Sequence, residues 1–245
     1  MENIDLLINT ICNPQSSHPT RQQAEQTLLQ LFSNRQSYPS YLSLCYSASD
    51  NVVFFVCLGL QRLLWRQWQY LSGDEINTIS HTMLSTLTQR NNLQAFAINK
   101  AEQVIAVVCI QTVSLSPVVS LLQDTQSILN NPLRAKQGLS LVYTVFDSIL
   151  SEDMKIDKKL AKRLQEVAQT IVPPLTNLSC SVCSNVISIL HAHRNNKSVQ
   201  HNPASPLSSL ELNNLLVGLK VLKIVISKLP LGAHVSMDVL NLIYT

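Results

Sequence analysis

The sequence predicts an all-α protein, a right-handed solenoid of stacked antiparallel helix pairs, and three observations carry that expectation. Apolar residues recur at spacings of three and four over most of the chain, with no convincing run of alternating residues. Only 5 glycines and 10 prolines occur in 245 residues, too little turn chemistry for the many hairpins of a β-sandwich or barrel. The helical patterns also come in pairs joined by short polar breaks, at a spacing of roughly forty residues.

Taken in order, Thr20 to Ser33 opens on a Thr cap and sets Ala24, Leu28, Leu31 and Phe32 on one face. Pro39 then starts a short helix reaching Tyr46. The segment NVVFFVCLGLQRLLWRQWQYL, residues 51 to 71, is apolar on nearly every side at its start. Val52, Val53, Val56, Cys57, Leu60 and Leu64 form its main stripe, and Phe54, Phe55, Leu58 and Leu63 thicken it, so this helix is packed from more than one direction. Asn51, Gln61, Arg62, Arg66 and Gln69 leave a limited polar strip, and Ser49 and Asp50 are placed to cap the start. Ser72, Asp74 and Glu75 begin the next helix, an outer amphipathic one with Ile76, Ile79, Met83, Leu84 and Leu87 inward.

Leu93 to Ile110, Ser116 to Leu129 and Pro132 to Leu150 continue the pattern, the last two with proline in the first turn. Beyond Asp157 a long helical region runs toward His193, and Pro173 with Pro174 is expected to break or kink it, giving two segments. Residues 194 to 209, RNNKSVQHNPASPLSS, read as a mobile loop. Leu212, Leu215, Leu216, Leu219, Leu222 and Ile226 then form a helix face ending near Pro230. The chain stops at Thr245 within a further helical pattern, so it reads as the N-terminal part of something longer. Repeats of this period are those of the HEAT and armadillo class, in which no pair buries its own apolar face and stacking supplies the core. The division expected is residues 1–110 and residues 111–245, with the polar loop inside the second part.

Composition narrows the function. A net charge of +3, from 18 basic and 15 acidic residues, contains no dense basic block, so an electrostatic nucleic-acid surface is not indicated. Glu2 and Asp5 stand where a secretory signal would be positive, and the most apolar windows, Val52 to Leu64 and Leu215 to Ile226, are too short for a membrane span and carry charges. The six cysteines lie mostly inside apolar patterns and read as small core hydrophobes.

Catalytic and metal motifs are missing from the pattern. No Gly-rich phosphate loop, nucleophile elbow or HExxH occurs, so no enzyme, cofactor or metal site is expected. CSVCSNVISILHAH brings Cys180, Cys183, His191 and His193 close in sequence, but histidines two apart leave a helix in different directions and the gap between pairs is short for a zinc finger. Asn177-Leu-Ser179 and Asn196-Lys-Ser198 match a glycosylation pattern by chance, and Ser205-Pro206 is either a phosphate acceptor or ordinary loop chemistry.

The order and spacing of the first helices resemble the karyopherin-β nuclear transport receptors. RQQAEQTLLQLF is similar to that family's opening helix through Ala24, Glu25, Leu28 and Phe32, and DNVVFFVCLGLQRLL with Trp68 and Leu71 to its next helix and the following Trp-x-x-Leu break. FAINKAEQVIAVV resembles the exportin form of a later inner helix through Phe96, Asn99, Lys100, Val104 and Ile105. ISKLPLG keeps Ser227, Pro230 and Leu231 of an exportin stretch but has Lys228 in place of Trp, and CIQTVSLSP has Pro117 without the Trp-Pro pair. The resemblance spans nearly the whole chain and implies a HEAT superhelix that shuttles between nucleus and cytoplasm as an exportin. It implies binding of the GTPase Ran in its GTP form on the concave face, contact with nuclear pore proteins, and carriage of protein cargo, profilin-bound actin by the likeness that includes the polar insert. On that reading the inner helices are residues 50–69, 92–110 and 132–150, and the Ran-binding candidates, chosen by helical phase, are Gln61, Arg62, Arg66, Lys100, Gln103, Arg134, Lys136 and Gln137. A HEAT scaffold or adaptor unrelated to nuclear transport satisfies the same periodicity.

Overall fold

The computed structural model describes residues 4–46, 49–90, 92–123, 131–150, 158–196 and 209–228. Among these the secondary structure is helical, without a strand, and the chain divides into two compact units, Met1–Thr112 and Val113–Thr245.

The first unit contains α1 (Ile4–Cys12), α2 (His18–Ser33), α3 (Tyr38–Leu42), α4 (Asp50–Gln67), α5 (Gly73–Gln89) and α6 (Ala95–Thr112), with single 3-10 turns at Arg35–Ser37, Ser43–Tyr46 and Trp68–Tyr70. The periodicity had not drawn α1, although Ile4, Leu7, Ile8 and Ile11 follow helical spacing and Ile8 is buried. Nor is Thr20 the cap of α2. Ser17 takes that place, its hydroxyl accepting the Thr20 N–H at 3.3 Å, because Pro19 fits the first turn where no N–H donor is needed. At α5 the reading holds, and Ser72 and Glu75 close a reciprocal capping box.

Helix α4 is the organising element. Val52, Val53, Val56, Cys57, Leu60, Leu63 and Leu64 are buried on it, and it packs against α6 on one side and α2 on the other. Gly59 allows the second contact: a Cβ built there would stand 2.5 Å from the Phe32 ring. Phe32 in turn meets Tyr41 edge to face at 5.0 Å, so α2, α3 and α4 converge on one aromatic pair. Ser49 occupies the N-cap position of α4 without a side-chain cap hydrogen bond. The neighbouring Asp50 carboxylate instead accepts the Gln94 N–H at 3.2 Å and pairs with Arg90 at 3.3 Å, tying the start of α4 to the start of α6.

Farther along, Gln61 Nε2 donates to Gln103 Oε1 at 3.3 Å. Two contacts in the same order along both helices make α4 and α6 parallel neighbours, with α5 as the return between them. Five side-chain contacts in this unit fall at similar separations, Arg35 to Glu75 and Arg90 to Asp50 at 40 residues, Gln61 to Gln103 at 42, Gln94 to Asp50 at 44 and Arg90 to Cys45 at 45, while Gln67 to Ser33 at 34 and Cys57 to Met83 at 26 do not.

The second unit contains α7 (Ser116–Gln123), α8 (Pro132–Leu150), α9 (Lys158–Asn196) and α10 (Ser209–Lys228). The break expected at Pro173 and Pro174 does not occur, since α9 is one continuous helix through both. A proline inside a helix costs about 3 kcal/mol, but the turns that follow are anchored by buried Leu175, Leu178, Val182, Cys183 and Val186. Each such side chain returns roughly 1.5–3 kcal/mol on burial, so packing outweighs propensity. Of the loop expected at 194–209, Arg194 to Asn196 belong to α9, Ser209 opens α10, and 197–208 lie outside the described residues. The helix expected over Ser116 to Leu129 is described as far as Gln123, and the pattern toward Thr245 lies beyond Lys228.

The face expected on α10 is corrected. Its buried stripe is Asn214, Gly218, Val221, Leu222 and Val225, while Leu212, Leu216 and Leu219 are about half exposed. Gly218 explains the rotation: a Cβ there would lie 3.1 Å from Cys183 Sγ and 4.0 Å from Leu139 Cδ1, so the smallest side chain marks where α10 presses on α8 and α9. Cys180 and Cys183 pack with Leu222 and Leu215. Among the described residues no helix is long and apolar enough to cross a membrane.

Two outcomes follow from this packing. Alanine normally stabilises a helix interior by about 1 kcal/mol over glycine, whereas Gly59→Ala must displace Phe32 and is expected to destabilise by roughly 1–3 kcal/mol; chemical denaturation distinguishes the signs. The thiols supply the second. Burial pushes Cys45 and Cys109 from 9.0 to about 12 and Cys183 to about 11. Only Cys12 is exposed, so a thiol reagent at neutral pH is expected to label Cys12 promptly and the other five only on unfolding. Because the unfolded chain surrenders these protons first, stability is full below pH 9.0 and falls as pH rises toward 12. Prompt labelling of two or more thiols contradicts the packing.

Candidate functional site

The parallel seam of α4 and α6 carries three of the sequence-derived candidates together. Gln61 comes from α4, and Lys100 and Gln103 lie one turn apart on α6. Gln103 Oε1 accepts from Gln61 Nε2 at 3.3 Å and from Lys100 Nζ at 2.9 Å, so one amide oxygen joins the two helices and fixes the ammonium. All three side chains are half-buried. Desolvation pulls the Lys100 pKa below its ordinary 10.5, opposed by the nearby Cys57 thiol. A carboxylate brought to Lys100 would meet a charge that water solvates incompletely, which strengthens such a pair over one at a fully exposed lysine.

Aromatic rings continue the same seam toward the start of both helices. Phe54 of α4 and Phe96 of α6 stack edge to face at 5.6 Å, and Phe96 shares the face of Lys100 and Gln103 by its spacing. Phe96 remains 43% exposed, and Trp65, one turn beyond Gln61, is 47% exposed. Phe96, one turn before Lys100 on α6, and Trp65 on α4 therefore leave aromatic surface open on both helices. Sequence reasoning named Phe96 only as a match to the family pattern and Phe54 as part of the apolar stripe, and neither they nor Trp65 as site residues. The available signal was Phe96, Lys100 and Gln103 at i, i+4 and i+7.

The remaining candidates separate from this cluster. Arg66 is exposed near the end of α4. Arg62 is half-buried and turns toward α2, where it lines a concavity with Leu29, Gln30, Ser33 and Asn34. Lys136 and Gln137 are half-buried on α8 in the second unit, and the Arg134 side chain lies outside the described residues. Gln137 Oε1 is shielded from solvent without a hydrogen-bond partner.

Among the described residues no three His, Cys, Asp or Glu side chains gather to hold a metal. The seam presents an ammonium, side-chain amides and aromatic rings on α4 and α6. The chain matches no protein-family model, and no curated protein is a match to it.

Proposed function

We propose that the chain is a protein-binding helical-repeat module, part of a nuclear export receptor, that engages Ran in its GTP form through the α4–α6 seam. The observation that supports this reading is the parallel pairing of α4 and α6 around the Gln61–Gln103–Lys100 cluster, with contacts recurring at separations of 40 to 45 residues. Separations of that size are what stacked HEAT pairs produce between a residue and its counterpart in the next repeat, as at Gln61 with Gln103 and Asp50 with Gln94. The second helices of successive pairs then form one continuous inner surface, and the whole is a right-handed solenoid.

In this reading binding involves no chemistry. A curved stack changes pitch through small rotations between neighbouring pairs, so nucleotide-dependent binding of the GTPase couples to cargo through different affinities for two curvatures. Profilin-bound actin is the cargo and nuclear pore proteins are the transit contacts that the sequence resemblance suggests. Lys100 supplies the charge that meets an acidic side chain of the GTPase, and Phe96 and Trp65 supply contact area.

The test is retention of purified Ran, loaded with GTP or GDP, on the immobilised 245-residue chain. Retention of the GTP form alone is expected. Lys100→Glu combined with Gln103→Glu is expected to weaken it roughly a hundredfold by placing repulsive charge at the contact, with helicity unchanged. Equal retention of both forms, or of neither, contradicts the reading and favours an adaptor of the same fold.

A further inference from the structure

Around α4 from the α6 seam, a groove of about 430 Å³ runs between α1, α2 and α4. Ile11, Leu29, Phe55 and Leu58 are among its apolar lining, with Glu25 and Arg62 as its charged members. Leu29 is 46% exposed, and Ile11, Phe55 and Leu58 are only half-buried. At Arg62 and Leu29 the groove meets a second concavity of about 390 Å³ whose other lining residues, Gln30, Ser33 and Asn34, are polar. An apolar channel therefore opens into a polar recess, and Arg62 stands at the junction.

Arg62 is also electrostatically incomplete. Its Nε is shielded from solvent with no hydrogen-bond partner, and the ion pairs of the described residues, Arg35 with Glu75 and Arg90 with Asp50, do not involve it. A guanidinium presents five donors in a fixed fork that suits a carboxylate, and leaving a shielded donor unmatched is costly. The other charged member, Glu25, disfavours a second acid in the groove.

We propose that this groove receives an acidic amphipathic peptide of a partner protein, with apolar side chains against Ile11, Leu29, Phe55 and Leu58 and a carboxylate paired to Arg62. A free inorganic anion would satisfy Arg62 but leave the apolar lining uncovered. A nucleic acid would find one cation beside a carboxylate and no run of positive charge. The peptide matches both halves of the site, apolar area for the groove and a single acid for the junction, the usual division between affinity and register when a peptide enters a hydrophobic groove. The groove has no lining residue in common with the Gln61–Gln103–Lys100 cluster.

The test begins with a displayed library of random peptides selected on the whole 245-residue chain. Enriched sequences are then synthesised and measured by fluorescence anisotropy. Enrichment of sequences that combine apolar residues with an acid is expected. Arg62→Glu is expected to weaken them at least roughly tenfold, and replacing the peptide acid with lysine to restore binding to that variant, because repulsion becomes attraction. Leu29→Glu, at an exposed position that leaves the fold intact, is expected to abolish binding even if Arg62→Glu perturbs folding. No enrichment, enriched peptides without an acid, or binding indifferent to Leu29→Glu overturns the proposal. Ran retention takes no part in the readout, so this inference and the receptor reading fail separately.

Discussion

Burial of α4 from two sides is the constraint on which the first unit depends. Val52, Val53, Val56, Leu60, Leu63 and Leu64 are almost wholly removed from solvent, and one neighbouring helix cannot cover so wide an apolar sector. Helix α2 therefore closes on one flank at Gly59, where the Phe32 ring takes the space a side chain would fill. Helix α6 closes on the other, aligned by Asp50 at one point and Gln61 at another. The polar contacts add modest energy but set the register, because an acceptor such as Asp50 reaches the Gln94 N–H in only one alignment. Both functional proposals descend from this arrangement, one on each flank of α4.

Much of this organisation was legible in the sequence, because amphipathic periodicity reports which residues are apolar and how they are spaced. The enclosed character of residues 52 to 64 and the first turn of α5 at Ser72 and Glu75 are local properties, and both stand in the structure, whereas Trp65, Arg66, Gln69 and Tyr70 are exposed. What periodicity could not supply was the choice among competing apolar stripes. On α10 the leucines at 212, 216 and 219 look like the better core stripe, yet the helix buries the one containing Asn214 and Gly218. Close approach to Cys183 and Leu139 decides it, and those side chains belong to other helices. Pro173 and Pro174 carry the same lesson, since a local penalty was overruled by the buried turns that follow them.

The candidate surface was partly readable for the same reason. Helical phase placed Gln61, Lys100 and Gln103 outside the apolar stripes, and they meet at one amide oxygen. Phase also grouped Arg62 with them, although it is one residue from Gln61 and so points about 100° away around the helix. That rotation carries it over to α2 and the apolar groove. A strip drawn on one helix thus divides when neighbours cover its middle. The exposure of Phe96 and Trp65 is likewise a property of what does not cover them.

The parallel alignment of α4 and α6 is the claim most directly open to measurement. Spin labels at Arg66→Cys and Thr112→Cys, both exposed and near the ends of their helices, report it after the reactive Cys12 is replaced by serine. Parallel neighbours bring the two backbones within about 15 Å, one interhelical spacing plus a turn's offset. An antiparallel pair places them roughly 25 Å or more apart, the length of one such helix. A short distance in double electron–electron resonance is the result predicted here, and a distance near the full helix length would contradict the repeat geometry on which the functional reading rests.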